Sequence, residues 1–267
     1  VVESFDYQMQ DALGAKSAAK LSITVLGSGT SDPAAVDDPI SAIEAGGLAN
    51  GTLGLDPSAF VSPNRLLDND TAASGFSTKL LVAARSLLTG NSDTAASASL
   101  ASDIFSNPAV IAGAYGTLTL GADGSYAYEV NNSLDEVQAL RISSDQLFDT
   151  FSYQVNNLDG GSVVGGSDFA TITVTISGAN DAPVSVGDTL ISVVGRGTVA
   201  TNVLSNDLDV DAGDTQTLTY IQAGSTTSPG TSVVGPTSVV GLYGTLIVSP
   251  DGSASYSVDP SQVEALG

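Results

Sequence analysis

The stretch Phe151-Ser152-Tyr153-Gln154-Val155, followed by the run Ile172-Thr173-Val174-Thr175-Ile176, decides the fold of this chain. In both segments apolar side chains alternate with small or polar ones, which is the period of a β-strand with one face on a core. Such alternation is typical of antiparallel strands whose other face meets solvent. The two segments therefore predict a β-rich domain.

A copy of the same two segments opens the chain. Phe5-Asp6-Tyr7-Gln8 matches the aromatic segment, and Leu21-Ser22-Ile23-Thr24-Val25 matches the β-run. A second signature, Tyr-Gly-Thr-Leu followed by Asp-Gly-Ser, occurs at residues 115–125 and again at 243–253. The order along the chain is end, beginning, end, beginning. This order predicts one complete repeat unit flanked by two partial units.

Alignment of the signatures divides the chain into three parts. Residues 1–36 are the closing strands of a preceding or neighbouring repeat. Residues 37–184, here called the middle unit, form a complete β-sandwich repeat with insertions near 42–64 and 94–112. The second insertion is rich in Ala and Ser and could carry a short helix. Residues 185–267, here called the last unit, are an incomplete repeat that lacks its last strands.

Turn and helix signals separate the predicted strands. Asp123-Gly124 and Asp251-Gly252 lie where a tight hairpin turn would join two strands. Ser133-Leu134-Asp135-Glu136 has the pattern of a capping box, and Asp259-Pro260-Ser261-Gln262 repeats it with Pro at the first helical position. Many short strands with regular turns indicate an all-β fold of sandwich type.

The charge balance limits the partners and the chemistry. The chain has 29 acidic and 7 basic residues, a formal net charge of −22, and its field repels nucleic acid and anionic membranes. No run approaches the roughly 18 apolar residues of a membrane span. Cys and His are absent, so disulfides and the common nucleophile–base pairs are absent too. We therefore do not expect an enzyme.

One loop concentrates carboxylates at alternate positions. Side chains spaced in this way can converge their oxygens on one hard cation, and Ca²⁺ takes 6–8 oxygens in flexible geometry. The spacing is not that of an EF-hand. The alternative is a solvated acidic loop. The residues are Asp207, Asp209, Asp211 and Asp214.

Three elements together resemble a known family. They are residues 178–184 (Gly-Ala-Asn-Asp-Ala-Pro-Val), 202–211 and 243–256. Their order resembles the VCBS repeat of very large bacterial surface and secreted proteins, including RTX-type adhesins. The resemblance implies tandem cadherin-like or immunoglobulin-like β-sandwiches, associated with calcium, adhesion and biofilm. The middle unit departs from this pattern, because residues 69–73 lack the acidic side chains that follow Asn206.

The junctions between units resemble cadherin-type linkers, in which calcium stiffens the joint. The resemblance implies further calcium ligands on both sides of the middle unit. The alternative is a turn stiffened by Pro33 or Pro183. The candidate ligands are Asn180, Asp181 and Asp188 at one junction, and Asp32 and Asp38 at the earlier one.

The functional expectation is a structural segment of an extracellular bacterial repeat protein, such as an adhesin, surface filament or matrix component. The rival is a carbohydrate-binding or accessory module of a secreted enzyme, for which surface polysaccharide would be the partner. Sugar sites usually present exposed aromatic rings, whereas the tyrosines here fall at inward strand positions. That pattern counts against the rival.

The first residues hold the strands that the last unit lacks. An incomplete sandwich leaves an apolar groove and open strand edges, which invite strand addition. Either copies of the chain join head-to-tail, or adjacent repeats of one longer polypeptide supply the strands. The inward side chains of the completing strands are Phe5, Tyr7, Met9, Leu21, Ile23 and Val25.

Overall fold

The computed structural model of the chain describes residues 2–10, 14, 16–24, 32–45, 65–73, 78–94, 108–159, 162–224 and 230–263. Within these residues the regular structure is almost entirely β, in several sheets, which confirms the all-β prediction. The α-helices of this part are single turns. None of its helices is long and apolar enough to span a membrane.

The strands and helices of the described residues follow the predicted order. The strands are β1 Val2–Gln10, β2 Lys16–Thr24, β3 Asp38–Ile43, β4 Thr78–Ser86, β5 Ser92–Thr94, β6 Ala109–Ala112, β7 Gly116–Leu120, β8 Tyr126–Val130, β9 Gln146–Asp159, β10 Ser162–Ser177, β11 Val199–Asn202, β12 Tyr220–Ile221, β13 Thr231–Ser232, β14 Thr237–Val240, β15 Gly244–Val248 and β16 Ser253–Val258. The helices are a 3-10 turn at Leu66–Asp68, α1 Asp135–Gln138 and α2 Pro260–Val263.

The middle unit builds one core between two sheets. One sheet has the order β3-β10-β9-β4-β5 and the other the order β6-β7-β8. Phe151, Tyr153 and Ile172 on β9 and β10 are fully buried, as their alternation predicts. Leu118 and Tyr128 of the facing sheet belong to the same buried cluster. Each such side chain contributes about 1.5–3 kcal/mol by leaving water.

One strand pair of the middle unit is parallel rather than antiparallel. β3 lies beside β10 with Ile40 opposite Val174. Parallel neighbours need a long connection, and here the connection is the rest of the unit. The first and last strands of the middle unit therefore lie side by side, a long-range pairing that the local alternation does not predict.

The two Asp-Gly pairs form the same turn in both units. They join β7 to β8 and β15 to β16. Gly124 has φ of 86° and Gly252 has φ of 78°, a conformation that glycine adopts without steric cost. In each turn the Asp carboxylate accepts a hydrogen bond from the amide of the following Ser, at 2.9 Å in the first and 3.0 Å in the second. The predicted hairpins are confirmed.

The last unit has a matching hairpin sheet but a small core. Its sheet has the order β11-β16-β15-β14, in which β14, β15 and β16 correspond to β6, β7 and β8. The buried apolar side chains of its cluster are those of Val233, Val248 and Ala254. β12 pairs only with β13 in the described part of the chain. No strand described in the last unit corresponds to β9 or β10.

β1 and β2, here called the N-terminal hairpin, form a two-stranded antiparallel sheet of their own. Its predicted inward side chains are exposed: Phe5 by 46%, Tyr7 by 48%, Met9 by 60% and Leu21 by 51%. The side chain of Ile23 and all of Val25 lie outside the described residues. The hairpin therefore shows an apolar face that nothing described in the chain covers.

Two local predictions need comment. The described ends of the 94–112 stretch are the strands β5 and β6, while residues 95–107, like 46–64, lie outside the described part. The capping box at Ser133 is wrong, because α1 has Leu134 as its N-cap without a side-chain hydrogen bond. The hydroxyl of Ser133 donates instead to Asn131 Oδ1 at 2.6 Å. At α2 the Asp259 carboxylate accepts a hydrogen bond from the Ser261 amide at 3.0 Å, as an N-cap does.

Candidate metal centre

Three aspartates of the acidic loop lie together and are here called the junction cluster. Asp209, Asp211 and Asp214 each offer a carboxylate oxygen within 4.8 Å of the other two. The amide of Asp211 donates to Asp209 Oδ1 at 3.0 Å, and the amide of Asp214 donates to the Asp211 carbonyl at 3.3 Å. Gly213 completes the turn with φ of 78°. These short-range bonds fold the loop so that its carboxylates converge.

The junction cluster is attached to the middle unit. Asp211 Oδ2 accepts a hydrogen bond from the Asp181 amide at 2.8 Å. The Ala212 amide donates to the Ala139 carbonyl, just after α1, at 3.1 Å. Arg141 Nη1 lies 3.8 Å from Asp214 Oδ1. The carboxylates therefore sit at the junction, held by groups from both units.

Asp211 is the electrostatic centre of the cluster. Its side chain is only 4% exposed, and its buried Oδ1 has no hydrogen-bond partner in the described structure. Burial raises the pKa of Asp211, and the nearby Asp209 and Asp214 raise it further, against the lowering effects of the Asp181 amide and Arg141. A buried carboxylate oxygen without a partner costs free energy unless a cation or a proton neutralises it.

Glu44 is a member of the site that the sequence did not single out. It is fully buried, and its Oε1 accepts a hydrogen bond from the Ala179 amide at 2.8 Å. Burial raises the pKa of Glu44 to about 7, with Asp181 and Asp211 adding to the rise. The available signal was the inward period of β3, which continues from Ile40 and Ala42 to position 44. A carboxylate at an inward position is a candidate for function.

The other predicted ligands at this junction occupy different places. Asp207 stands apart from the junction cluster, since its Oδ1 accepts a hydrogen bond from the Val186 amide at 2.8 Å. Asp181 is buried and adjoins the cluster through its amide, while the Asn180 side chain donates to the Asp181 carbonyl. Asp188 is exposed. The structure thus unites three of the four loop aspartates with Asp181 and Glu44.

The earlier junction is built differently. Asp38 Oδ2 accepts a hydrogen bond from the Tyr153 hydroxyl at 2.7 Å, and Asp38 Oδ1 accepts one from the Asn69 side chain at 3.0 Å. Burial raises the pKa of Asp38 to about 6, against the lowering effect of the Tyr153 hydrogen bond. Asp32 is exposed and lies against Gly166. The structure does not bring Asp32 and Asp38 into one cluster, and Asp38 is satisfied by protein donors.

The junction cluster fits a hard cation. All of its donors are oxygens, they come from a loop, and one of them is buried and unpartnered, whereas soft metals prefer sulfur or imidazole. No family model and no curated protein matches the chain. The likeness to the VCBS repeat therefore rests on the motifs quoted above.

Proposed function

We propose that the chain is a structural segment of an extracellular bacterial repeat protein, such as an adhesin, surface filament or matrix component. In this proposal the middle and last units are tandem immunoglobulin-like or cadherin-like β-sandwiches of the VCBS type. Matched local features support it, including the two Asp-Gly turns and two isolated antiparallel bridges. The bridges are Ala34–Thr71 and Val184–Leu208.

Calcium is the cation that this proposal assigns to the junction cluster. The observation that carries it is the buried Asp211 Oδ1, which has no partner in the described structure although Asp209 and Asp214 lie close by. A divalent cation would neutralise this crowded negative charge in a chain of net charge −22. Ca²⁺ suits a flexible loop site better than Mg²⁺, which demands a near-ideal octahedron.

The mechanical role follows from where the ligands are attached. Asp209, Asp211 and Asp214 belong to the last unit, whereas Asp181 and Glu44 reach the same place from the middle unit side. A cation held by the first three and drawn toward the last two resists separation of the units. The proposed function of the site is therefore to fix the angle between consecutive sandwiches.

A calcium titration tests the site. The chain, stripped with chelator, should bind Ca²⁺ in isothermal titration calorimetry and unfold at a higher temperature in its presence. At a thousandfold excess over the dissociation constant the gain is about 4 kcal/mol. Asp211→Asn should abolish most of the gain. Unchanged melting on adding calcium would refute the site.

A charge-matched control separates ligation from net charge. Glu129 is exposed on β8, outside the junction cluster, so Glu129→Gln removes the same charge as Asp211→Asn. This variant should keep the full calcium response. Equal loss in both variants would mean that calcium acts through the general field of the chain.

The second part of the proposal is that units are joined by strand complementation. The N-terminal hairpin and the last unit carry complementary apolar faces, one from strands and one from a half-built sandwich. The partner is a copy of the chain or an adjacent repeat of the same polypeptide. Sedimentation of the chain with and without residues 1–27 tests this, since removal of the hairpin should abolish association of copies.

A further inference from the structure

The last unit has an apolar cleft of about 450 Å³ between β15, β16, α2 and the segment 190–194. Leu190, Leu246, Tyr256 and Val263 are among the residues that line it. Their equivalents in the middle unit belong to the buried core, which also contains the inward side chains of β9 and β10. Those equivalents are Ile40, Leu118, Tyr128 and Val137. The cleft is therefore the face that β9 and β10 cover in the middle unit.

A buried carboxylate fixes the height of β9 against the facing sheet of the middle unit. Asp149 is fully buried. It accepts hydrogen bonds from the amides of Ala114 and Tyr115 at 2.8 and 2.9 Å, and from the Tyr128 hydroxyl at 2.6 Å. A shift of β9 by one residue would leave three donors without an acceptor, which folded proteins avoid.

The last unit has the same three donors without the acceptor. They are the amides of Leu242 and Tyr243 and the hydroxyl of Tyr256, and none has a hydrogen-bond partner among the described residues. A Cβ built on Gly113 would collide with the Asp149 carboxylate. A Cβ built on the equivalent Gly241 would meet only a backbone oxygen, 3.5 Å away. The position of the missing carboxylate is open.

The N-terminal hairpin repeats the β9–β10 pair in register as well as in sequence. In both hairpins the aromatic residue of the first strand faces the first apolar residue of the β-run, and a carboxylate lies two residues before the aromatic residue. The matched pairs are Phe5–Leu21 with Phe151–Ile172, Glu3–Ile23 with Asp149–Val174, and Tyr7–Ala19 with Tyr153–Ala170. Glu3 therefore occupies the hairpin position of the buried carboxylate.

A second polar group lies at the other end of the same strand in the middle unit. The Val36 amide donates to Asp70 Oδ1 at 2.8 Å. The Tyr153 hydroxyl reaches into this group and donates to Asp38 Oδ2 at 2.7 Å. Asp149 and Tyr153 thus bind opposite ends of β9 to the rest of the unit.

The last unit repeats this second group except for its tyrosine. The Val186 amide donates to Asp207 Oδ1 at 2.8 Å, as in the middle unit. Asp188, the equivalent of Asp38, is exposed. Tyr7 of the N-terminal hairpin is the equivalent of Tyr153, and it stands four residues after Glu3, as Tyr153 stands four residues after Asp149. Both polar anchors are therefore present on the hairpin with the required spacing.

We propose that the cleft of the last unit binds the N-terminal hairpin of a second copy of this chain, in one register. Glu3 accepts hydrogen bonds from the Leu242 and Tyr243 amides and the Tyr256 hydroxyl. Tyr7 donates to Asp188. β1 lies beside β12 and β2 lies beside the segment 188–193, in the order that β9 and β10 have in the middle unit. This inference rests on the strand complementation proposed above and adds the register and its polar anchors.

The chain contains no cysteine, so introduced cysteines report the register directly. Two full-length single variants, Glu3→Cys and Gly241→Cys, are mixed and oxidised, and only disulfides between copies can join them. The proposal expects a covalent dimer from this pair. Ser4→Cys mixed with Gly241→Cys is the control, because a shift of one residue turns the side chain to the opposite face.

Affinity gives a second readout. Glu3→Ala should weaken association in sedimentation by about tenfold or more, because three donors are left buried without an acceptor. Asp6→Ala removes a carboxylate from the same strand at an exposed position and should leave association unchanged. Calcium binding at the junction cluster should be the same in both variants.

The outcomes distinguish the register from the wider proposal. Association with equal cross-linking through Ser4 and Glu3, or with equal affinities of Glu3→Ala and Asp6→Ala, would overturn the register and leave strand complementation intact. A chain that stays monomeric at all concentrations would overturn the second copy as occupant. A disulfide within one chain in the Glu3→Cys/Gly241→Cys double variant would show that the chain's own hairpin fills the cleft.

Discussion

The middle unit and the last unit share their turns, their isolated bridges and their single-turn helices, but only the middle unit is closed over a core. The difference is the presence of two strands. In the middle unit β9 and β10 stand between β3 and β4 and carry fully buried aromatic and aliphatic side chains. In the last unit the corresponding apolar groups line an open cleft. The local framework of a unit thus forms without the two strands that fill it.

This contrast separates two tasks of the sequence. Turns such as Asp123-Gly124 and Asp251-Gly252 are satisfied by their own neighbours and look the same in both units. The burial of β15 and β16 depends on strands from elsewhere. Stability of each unit should therefore respond very differently to substitutions at equivalent positions.

Removing a buried ring should give the largest difference between equivalent positions. Phe151→Ala should lower the free energy of unfolding by about 3–5 kcal/mol, because it leaves a cavity in the core of the middle unit. Phe5→Ala, at the exposed equivalent in the N-terminal hairpin, should change the unfolding of single copies by less than about 0.5 kcal/mol. Denaturant titration at low protein concentration measures both. Equal costs would mean that Phe5 is already buried within one copy.

Removing the buried carboxylate should have the next largest effect. Asp149→Leu leaves the donors of Ala114, Tyr115 and Tyr128 without an acceptor, at a cost of roughly 3 kcal/mol to the middle unit. Asp149→Asn keeps an acceptor oxygen and should lose less. Glu3→Leu should leave the unfolding of single copies unchanged. Thermal melts of the three variants compare them, and a neutral Asp149→Leu would remove the reason for a fixed register.

The pH dependence at the junction should be smaller and should reverse in sign with calcium. Because the pKa of Glu44 is raised to about 7 in the folded chain, the folded state holds a proton that the unfolded state has released. In chelator, stability should therefore fall by on the order of 2 kcal/mol from pH 5.5 to 7.5. With calcium the ionised carboxylates are needed, so the calcium-induced gain should grow with pH.

The control for this pH dependence is Glu44→Gln. Its side-chain oxygen can still accept the hydrogen bond from the Ala179 amide, but it cannot titrate. In chelator the slope of stability against pH should flatten in this variant. A slope that persists would place the titration on other groups.

Arg141 should contribute least. Its guanidinium lies 3.8 Å from the Asp214 carboxylate, and both side chains are about one-third exposed, 34% and 30%. Arg141→Gln should therefore change the stability by less than about 1 kcal/mol, since solvent screens such a pair. Chemical denaturation measures the change. A larger loss would mean that Arg141 holds the acidic loop through the Gly213 carbonyl, to which it also donates.

The sequence predicts what neighbouring residues decide. Alternation placed Phe151, Tyr153 and Ile172 inside, and the Asp-Gly pairs placed the hairpins, because both depend on side chains within a few positions of each other. The parallel pairing of β3 with β10 could not be predicted in this way. Its partners are separated by more than a hundred residues, and no local period encodes them.

The candidate site shows the same limit. Spacing alone made Asp207 equivalent to Asp209, but the Val186 amide, far back in the chain, takes the carboxylate of Asp207. Glu44 was missed for the converse reason, because its partner Ala179 lies 135 positions away. The predicted cluster was therefore right in its loop and incomplete in its membership. Contacts between distant segments supplied the rest.

The side-by-side position of β3 and β10 has a mechanical consequence. The chain enters the middle unit along β3 and leaves it along β10, and the two strands run parallel over six residue pairs. Tension on the two ends would pull these strands in opposite directions along their length, so that all of their hydrogen bonds would be loaded in shear at once. We expect single-molecule pulling to show one abrupt rupture of the unit at high force, in place of a gradual peeling from one end.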